Sequence, residues 1–364
     1  MMKSDSLYVM YGNNDKEMIL EILNTINLSA DIPDKNSLIG IKPNLVLAKP
    51  SESGATTSPQ LVEGVIEYLK NNGFKNIIIL EGSWVGARTS KAFDVCGYSS
   101  LSKKYGVPLV DLQKDRSVSF KVEDSHISVC EKMTKLDYLI NMPVLKGHCQ
   151  TSITCALKNM KGCIPNKEKR RFHTMGLHKP IGYLNTIIKQ DLIIVDGIIG
   201  DLNFEEGGNP VQMNRIIVGK DPVMVDSYVA QLLGYNIEDI PYIEISEQLK
   251  VGKRLLSDEN IIELNKDNDP MTIPKSRLVQ RLGNYVEDNM ACSACYGSLI
   301  HALDRLDDIG YLSRIKNKIY IGQGFKGKEI KGVGIGICTK GCETYLTGCP
   351  PKANDIIDFL KKEF

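Results

Sequence analysis

The sequence lacks an apolar run long enough to cross a lipid bilayer. Its longest apolar stretches, such as 77–80 and 192–195, are far shorter than the roughly 20 residues that a transmembrane helix needs. Residues 1–5 lack the apolar segment of a secretion signal. We therefore expect a cytoplasmic protein with no membrane partner.

The chain also lacks a strong excess of charge of either sign. Lys and Arg number 45 against 44 Asp and Glu, a net charge of +1, so a nucleic-acid partner is not indicated. No G-x-G-x-x-G follows a strand, and Walker A and G-x-S-x-G motifs are missing. Nucleotide binding and serine hydrolase chemistry therefore have no support.

Cysteine, by contrast, is plentiful, and its spacing is typical of metal ligands. Ten cysteines in a chain without a secretion signal favour a reducing compartment, where thiols serve as ligands. Half of them lie in the last quarter of the chain, as a C-x-x-C pair followed by single cysteines near glycines: Cys292, Cys295, Cys338, Cys342 and Cys349. This arrangement predicts a four-thiolate site for a 4Fe–4S cluster.

Two other interpretations of these cysteines stay open at this point. A structural zinc ion held by four thiolates uses similar spacings. Free cysteines are also among the residues most often buried in a core, where they bind no metal.

A chain of 364 residues exceeds the usual size of one domain. Up to about residue 255, short apolar strands alternate with helical patterns, which predicts an α/β fold with a mainly parallel, doubly wound sheet. We expect an α/β domain over 1–255, a polar linker or surface excursion over 256–282, and a small iron–sulfur segment over 283–364. One helix is expected over 90–104.

Polar residues gather where the predicted strands end, which is where parallel sheets bind ligands. The expected site combines the lysines and histidines that follow 136–141 with an acidic residue at a later strand end. We predict catalytic roles for Lys146, His148, Lys158 and His173, and substrate binding by Asn159, Lys161 and Asp196. The cations favour an anionic ligand, although a charged run is often only a solvated surface.

Further acidic positions are expected to shape or support the fold. Asp221, followed by Pro222, is typical of a helix N-cap. We expect Asp226 to face inward as the buried partner of a lysine. The acidic residues that stand beside glycines at 196–208, Glu205 among them, either bind a cation, hold a lysine or only shape a turn.

Five ordered motifs give the chain a resemblance to domain-of-unknown-function family 362 over roughly residues 38–250. They occupy 41–45, 141–148, 156–162, 195–197 and 219–226. The family has no general established activity. Its members are often joined to iron–sulfur segments, so the resemblance implies a cluster here too.

The C-terminal segment is similar to the proximal-cluster domain of nickel–iron hydrogenase small subunits. There, C-x-x-C, G-x-C and G-C-P-P supply the ligands of a 4Fe–4S cluster. The resemblance implies Cys292, Cys295, Cys338 and Cys349 as ligands, with Cys342 as a spare or as an alternative to Cys338. It implies a cluster and not hydrogen chemistry.

Three functions follow as expectations. The first is an iron–sulfur redox enzyme or electron-transfer protein that acts on an anionic small molecule or a redox partner protein. The second is a non-redox enzyme that uses the cluster as a Lewis acid or a His/Lys site for acid–base chemistry. The third is a non-enzymatic electron carrier or assembly protein.

Overall fold

A computed structural model describes residues 2–3, 5–255, 257–265, 272–274 and 276–364. Its strands, numbered along the chain, are β1 (Leu7–Tyr11), β2 (Ile39–Pro43), β3 (Ile77–Glu81), β4 (Leu109–Asp111), β5 (Ser117–Val122), β6 (Ser125–Cys130), β7 (Tyr138–Met142), β8 (Lys146–His148), β9 (Ser152–Thr154), β10 (Leu192–Asp201), β11 (Pro210–Gly219), β12 (Ile261–Glu263), β13 (Val286–Asp288), β14 (Ile319–Ile321), β15 (Ile330–Ile335) and β16 (Cys342–Leu346).

The helices lie between these strands. They are α1 (Asp15–Ile26), α2 (Pro59–Asn71), α3 (Thr89–Val95), α4 (Tyr98–Tyr105), α5 (Ala156–Asn159), α6 (Asn166–Thr174), α7 (His178–Ile187), α8 (Pro222–Leu232), α9 (Pro241–Gln248), α10 (Leu278–Gly283), α11 (Ser293–Asp308) and α12 (Ala353–Glu363). Within the described part of the chain, none of them combines the length and apolar character needed to cross a membrane.

The larger sheet has eight strands in the order β12-β1-β11-β10-β7-β2-β3-β4. Every neighbouring pair is parallel except those made by β11, which runs antiparallel to β1 and β10. The prediction of a mainly parallel α/β sheet is therefore confirmed. The reversed strand β11 was not predicted.

Helices cover both faces of this sheet. Along β10, Ile193 and Val195 belong to one buried core, whereas Leu192 and Ile194 belong to the other, because side chains alternate between the faces of a strand. Residues of α7 and α8 complete the first core, and residues of α1 and α2 complete the second. The strands are therefore buried on both faces, as their continuous runs of apolar residues predicted.

Side chains cap the starts of two helices, one of them the entry predicted at Asp221, and one predicted helix is wrong. The Ser58 hydroxyl accepts from Leu61 N at the start of α2, and Asp221 caps α8. The single helix expected over 90–104 is two helices, α3 and α4. Gly97, at φ +82°, separates them, because this left-handed conformation interrupts a right-handed helix.

The cysteine-bearing part of the chain forms a second sheet. Strands β13, β14, β15 and β16 pair in that order, all parallel. Their ends are level, since Asp288 pairs with Ile321, Ile321 with Ile335, and Ile335 with Leu346. A separate apolar core joins this sheet to α11 and α12.

The stretch expected as a linker, 256–282, contains parts of both units. Strand β12 pairs with β1 at the edge of the larger sheet, so that sheet extends beyond the expected boundary at residue 255. Helix α10 contributes Leu282 to the core of the second unit. Residues 256, 266–271 and 275 of the expected linker lie outside the described residues.

Candidate functional site

A cavity lies at the carboxyl ends of β2 and β3, bounded by α5, α6 and the start of α11. Its empty space, open mouth included, is about 630 Å³. The lining residues are Asn44, Val46, Glu81, Gly82, Trp84, Val85, Lys158, Asn159, Lys161, Gly162, Lys169, Arg170, His173, Glu205, Cys292, Ser293 and Ala294. This is the position at which parallel sheets bind ligands.

A buried ion pair joins the ends of β2 and β3 beneath the cavity. Lys42 Nζ donates to Glu81 Oε2 at 2.8 Å, and both side chains are almost fully buried. A Cβ atom at Gly162 would lie 2.7 Å from Lys42 Nζ, so only glycine lets this turn approach the pair. The pair therefore neutralises two charges at the cavity wall and fixes the turn above them.

Glu205 neutralises a second buried cation. Lys158 Nζ donates to Glu205 Oε1 at 2.7 Å, while His148 Nε2 lies 3.0 Å from Glu205 Oε2. Burial opposes ionisation of Glu205, but Lys158, His148 and Lys146 outweigh it and hold the pKa of this carboxyl well below its usual range. The sequence left open whether Glu205 binds a cation or lysine or only shapes a turn, and the structure shows that it binds a lysine, Lys158.

The hydrogen bonds of His148 define its tautomer. Its Nδ1 accepts from the backbone N–H groups of Gln150 and Thr151, at 3.0 and 3.1 Å. The ring proton therefore lies on Nε2, from which it is donated to Glu205. Burial, and then Lys158, lower the pKa of His148 to about 4, so the ring is neutral at pH 7.

Lys146 lies behind the cavity rather than on its wall. Its Nζ donates to Asn44 Oδ1 at 2.9 Å and to two carbonyl oxygens, Ala55 O at 2.5 Å and Glu205 O at 2.8 Å. Burial lowers its pKa to about 8. Lys146 thus orients Asn44 and the Glu205 backbone, both of which border the cavity.

Lys161 and His173 meet on the cavity wall. Lys161 Nζ lies 3.4 Å from His173 Nε2. Burial, and then the charge of Lys158, lower the pKa of Lys161 to about 7, and burial with the Lys161 charge lowers the pKa of His173 well below its usual value. Of the two nitrogens in this contact, Lys161 Nζ is therefore the stronger base and holds the proton.

Two further cations of the wall were missed by the sequence reasoning. Lys169 Nζ donates to Gly82 O and Ser83 O at 2.8 and 2.7 Å, and burial lowers its pKa to about 8. Arg170, the next residue of α6, is exposed at the cavity mouth. The sequence shows a basic run at 167–171 that could have indicated these cations. It does not show that this run lies above the strand ends.

The predicted site residues do not all meet in this cavity. Lys158, Asn159, Lys161 and His173 line it, whereas Lys146 and His148 support it from behind. Asp196 lies in a different cavity. There it accepts from Ser58 N and Ile198 N, and burial raises its pKa to about 7.

The expectation that Asp226 pairs with a lysine is wrong. Its carboxylate accepts from Ala156 N at 2.7 Å and from Leu157 N at 3.3 Å. These are the first N–H groups of α5, which have no partner within the helix. Asp226 therefore holds the start of the helix that carries Lys158 and Asn159.

The candidate ligand cysteines lie at the carboxyl edge of the second sheet. Cys292 follows β13 as the N-cap of α11, with Cys295 in the first turn. Cys338 follows β15 and Cys349 follows β16. Because these strands are parallel and end level with one another, their loops emerge side by side.

Backbone contacts and electrostatics group four of these thiols and leave the fifth apart. Ile337 N donates to Gly348 O at 3.1 Å, which ties together the loops of Cys338 and Cys349. Burial, and then repulsion from Cys338 and Cys349, raise the pKa of Cys292. Burial followed by repulsion from the other three raises that of Cys295. Burial alone raises the pKa of Cys342, whose side chain lies against Gly334 within the sheet.

The cysteine segment packs directly against the cavity. Cys292, Ser293 and Ala294 form part of its wall. Ser293 Oγ donates to Gln150 Oε1 at 2.9 Å, and Gln150 Nε2 donates to Ala291 O at 3.0 Å. The cysteine-bearing segment therefore borders the cavity through the start of α11.

Fold and site together define a mostly parallel α/β protein with a cationic cavity bordered by a cysteine-bearing second sheet. Residues 39–231 match the family described as "Domain of unknown function (DUF362)". The match covers more than half of the chain, so the protein belongs to this family, as its motifs predicted.

The chain is also similar to a protein of Synechocystis. Over 217 residues the chain is 25% identical to the thylakoid-associated protein sll1697 of Synechocystis sp. (strain ATCC 27184 / PCC 6803 / Kazusa). The alignment covers 57% of this chain and 67% of the relative. Because that relative is described as thylakoid-associated, a cytoplasmic location for this chain stays a prediction.

Proposed function

We propose that this chain is an iron–sulfur protein that transfers electrons to or from an anionic substrate in the cavity. Cys292, Cys295, Cys338 and Cys349 would hold the 4Fe–4S cluster. The observation that carries the proposal is the position of Cys292, which belongs both to the grouped thiols and to the wall that Lys158 and Lys161 share. An electron would thus have a short path between cluster and substrate.

The donor set supports a cluster. Among the described residues, no group of three or more His, Cys, Asp or Glu side chains is placed to hold a metal ion. In a 4Fe–4S cluster each iron takes its own thiolate, so the four sulfurs stand around a cube instead of converging on one ion. Four thiols on three loops at one edge of the second sheet suit that arrangement, as does the similarity to the hydrogenase proximal-cluster motif.

The protein's own groups would set the properties of the site. A bound cluster supplies one-electron chemistry at a potential tuned by hydrogen bonds to its sulfurs and by exposure to water. Gln323 Nε2 lies 3.6 Å from Cys292 Sγ and is placed to donate to it. Lys161 would hold the substrate anion, and the contact of Lys161 Nζ with His173 Nε2 would hold or release a proton.

The same contact favours a second candidate, a non-redox enzyme that uses acid–base chemistry. An amine with a pKa near 7 on a cavity wall exchanges protons readily at neutral pH. In that case the cysteine segment would be structural. The redox proposal is preferred because it also accounts for the four grouped thiols.

Anaerobic purification followed by iron and sulfide assays tests the proposal. About four irons and four sulfides per chain are expected, with a brown colour that bleaches in air and a paramagnetic resonance signal on reduction. Stoichiometric zinc without sulfide in a colourless protein would overturn the redox proposal and favour a structural metal site.

A further inference from the structure

Three cations of the cavity wall have no carboxylate partner among the described residues, and one of them, Lys169, donates instead to the carbonyl oxygens of Gly82 and Ser83. The Lys161 ammonium contacts His173 Nε2 and forms no ion pair within the described chain. The Arg170 side chain likewise makes no hydrogen bond or ion pair to a described residue, although its backbone oxygen accepts from Gln323 Nε2. Lys42 and Lys158, by contrast, are each matched by a carboxylate.

Another part of the same wall is apolar. The loop that follows β3 contributes Trp84 and Val85, the loop after β2 contributes Val46, and α11 contributes Ala294. Trp84 is half-buried, so part of its side chain is accessible. An indole ring of this kind offers a flat apolar surface on which planar groups stack.

We infer that the cavity binds a small amphipathic oxyanion, in which a carboxylate or phosphate is joined to a flat apolar group. This inference names the class of ligand for the proposed function. It rests on the proposed function only in taking the bound molecule to be the substrate. The oxyanion would lie between Lys161 and Arg170, whose planar guanidinium suits bidentate binding to carboxylate or phosphate. The apolar group would pack on Trp84.

The protein carries its own probe for this binding, because Trp84 is its only tryptophan. The full chain would be titrated with phenyl phosphate, benzoate, inorganic phosphate and phenol, with Trp84 fluorescence and calorimetry as readouts. At least one of phenyl phosphate and benzoate is expected to bind about tenfold more tightly than both inorganic phosphate and phenol. The stronger of the two identifies the oxyanion.

Charge-removing variants locate the binding site. Lys161→Gln and Arg170→Gln should each weaken binding of the preferred probe by about tenfold or more, because each removes a charge-assisted hydrogen bond. Lys167→Gln is the matched control: Lys167 lies on the same helix as Arg170, is exposed, and does not line the cavity. Its affinity should be unchanged. Since Arg170 is exposed, its variant should fold even if Lys161→Gln does not.

Three results would overturn the inference: no saturable binding of either aromatic anion, equal affinity for inorganic phosphate, or the same loss in Lys167→Gln as in Arg170→Gln. Iron and sulfide would be counted in the same preparations. Binding without a cluster would defeat only the proposed function, whereas a cluster without binding would defeat only the inference about the ligand.

Discussion

Lys158 and Glu205 form an ion pair in which the Lys158 side chain is 3% and the Glu205 side chain 15% exposed, with 2.7 Å between Nζ and Oε1. The two residues are distant in sequence and meet because a loop after β10 reaches the helix that follows β9. A buried pair gives little net stability when intact, but breaking it is costly because one charge is left uncompensated.

Glu205→Gln should therefore destabilise the protein by about 3–5 kcal/mol, since it leaves the Lys158 ammonium buried without a counter-charge. Chemical denaturation of the purified protein measures this change. Glu131→Gln is the control, because Glu131 pairs with Lys135 on the surface and its loss should cost less than about 1 kcal/mol. Equal effects of the two variants would show that the Lys158 pair is not effectively buried.

His148 should make stability depend on pH below neutrality. Its folded pKa of about 4 lies below the unfolded value near 6.5, so the unfolded chain binds the proton first as pH falls. The stabilisation is complete above pH 6.5 and is lost progressively down to pH 4. Between pH 7 and 5 the loss should be roughly 2 kcal/mol.

Denaturation curves at pH 7 and 5 test this dependence in three proteins. His148→Gln should lose roughly 2 kcal/mol less than the unmodified chain over this interval. His126→Gln should keep the full dependence, because His126 is exposed. An unchanged dependence in His148→Gln would show that His148 is not the group responsible.

A chain of buried amides supports the cavity wall from behind. Gln190 Oε1 accepts from Asn141 Nδ2 at 2.6 Å, Asn141 Oδ1 accepts from Asn159 Nδ2 at 2.7 Å, and Asn159 Oδ1 accepts from Asn44 Nδ2 at 2.8 Å. Asn44 Oδ1 then accepts from Lys146 Nζ. Asn141 and Asn159 each bond to both of their neighbours in this chain, so the loss of one amide removes hydrogen bonds from the next.

Asn141→Leu should destabilise the protein by about 2–4 kcal/mol, because it removes a hydrogen-bond partner from three buried polar groups, Gln190 Oε1, Ala156 O and Asn159 Nδ2. It should also weaken ligand binding, since Asn159 lines the cavity. Asn317→Leu, at an exposed loop position, should stay within about 0.5 kcal/mol of the parent protein. A similarly small effect at Asn141 would contradict a role for the amide chain in stability.

The parallel α/β architecture could be predicted because a sequence of buried apolar strands separated by helices is compatible with few other folds. The strand ends then pointed to the region of the cavity, since ligands collect at that edge. The sequence pattern does not indicate in which direction a strand runs. The apolar residues of β11 predict a strand but not its antiparallel direction, and the short β12 lies among polar residues.

Side-chain convergence was predicted only in part. Lys158, Lys161 and His173 meet on the cavity wall, whereas Asp196 lies in another cavity. The expectation that Asp196 follows a strand is wrong, because β10 continues to Asp201 and Asp196 lies within it. Which strand ends are neighbours depends on strand order, and the chain does not encode that order locally. The partnership of Lys158 with Glu205 depends on a long-range contact for the same reason.

The assignment of the four cluster ligands is tested by comparing two cysteine variants purified anaerobically from the same expression system. Cys342→Ser should retain about four irons and four sulfides per chain, because this thiol lies apart from the other four within the sheet. Cys349→Ser should lose most of both, since it removes one ligand. Loss of the cluster in Cys342→Ser, with iron and sulfide intact in Cys349→Ser, would contradict the assigned ligand set.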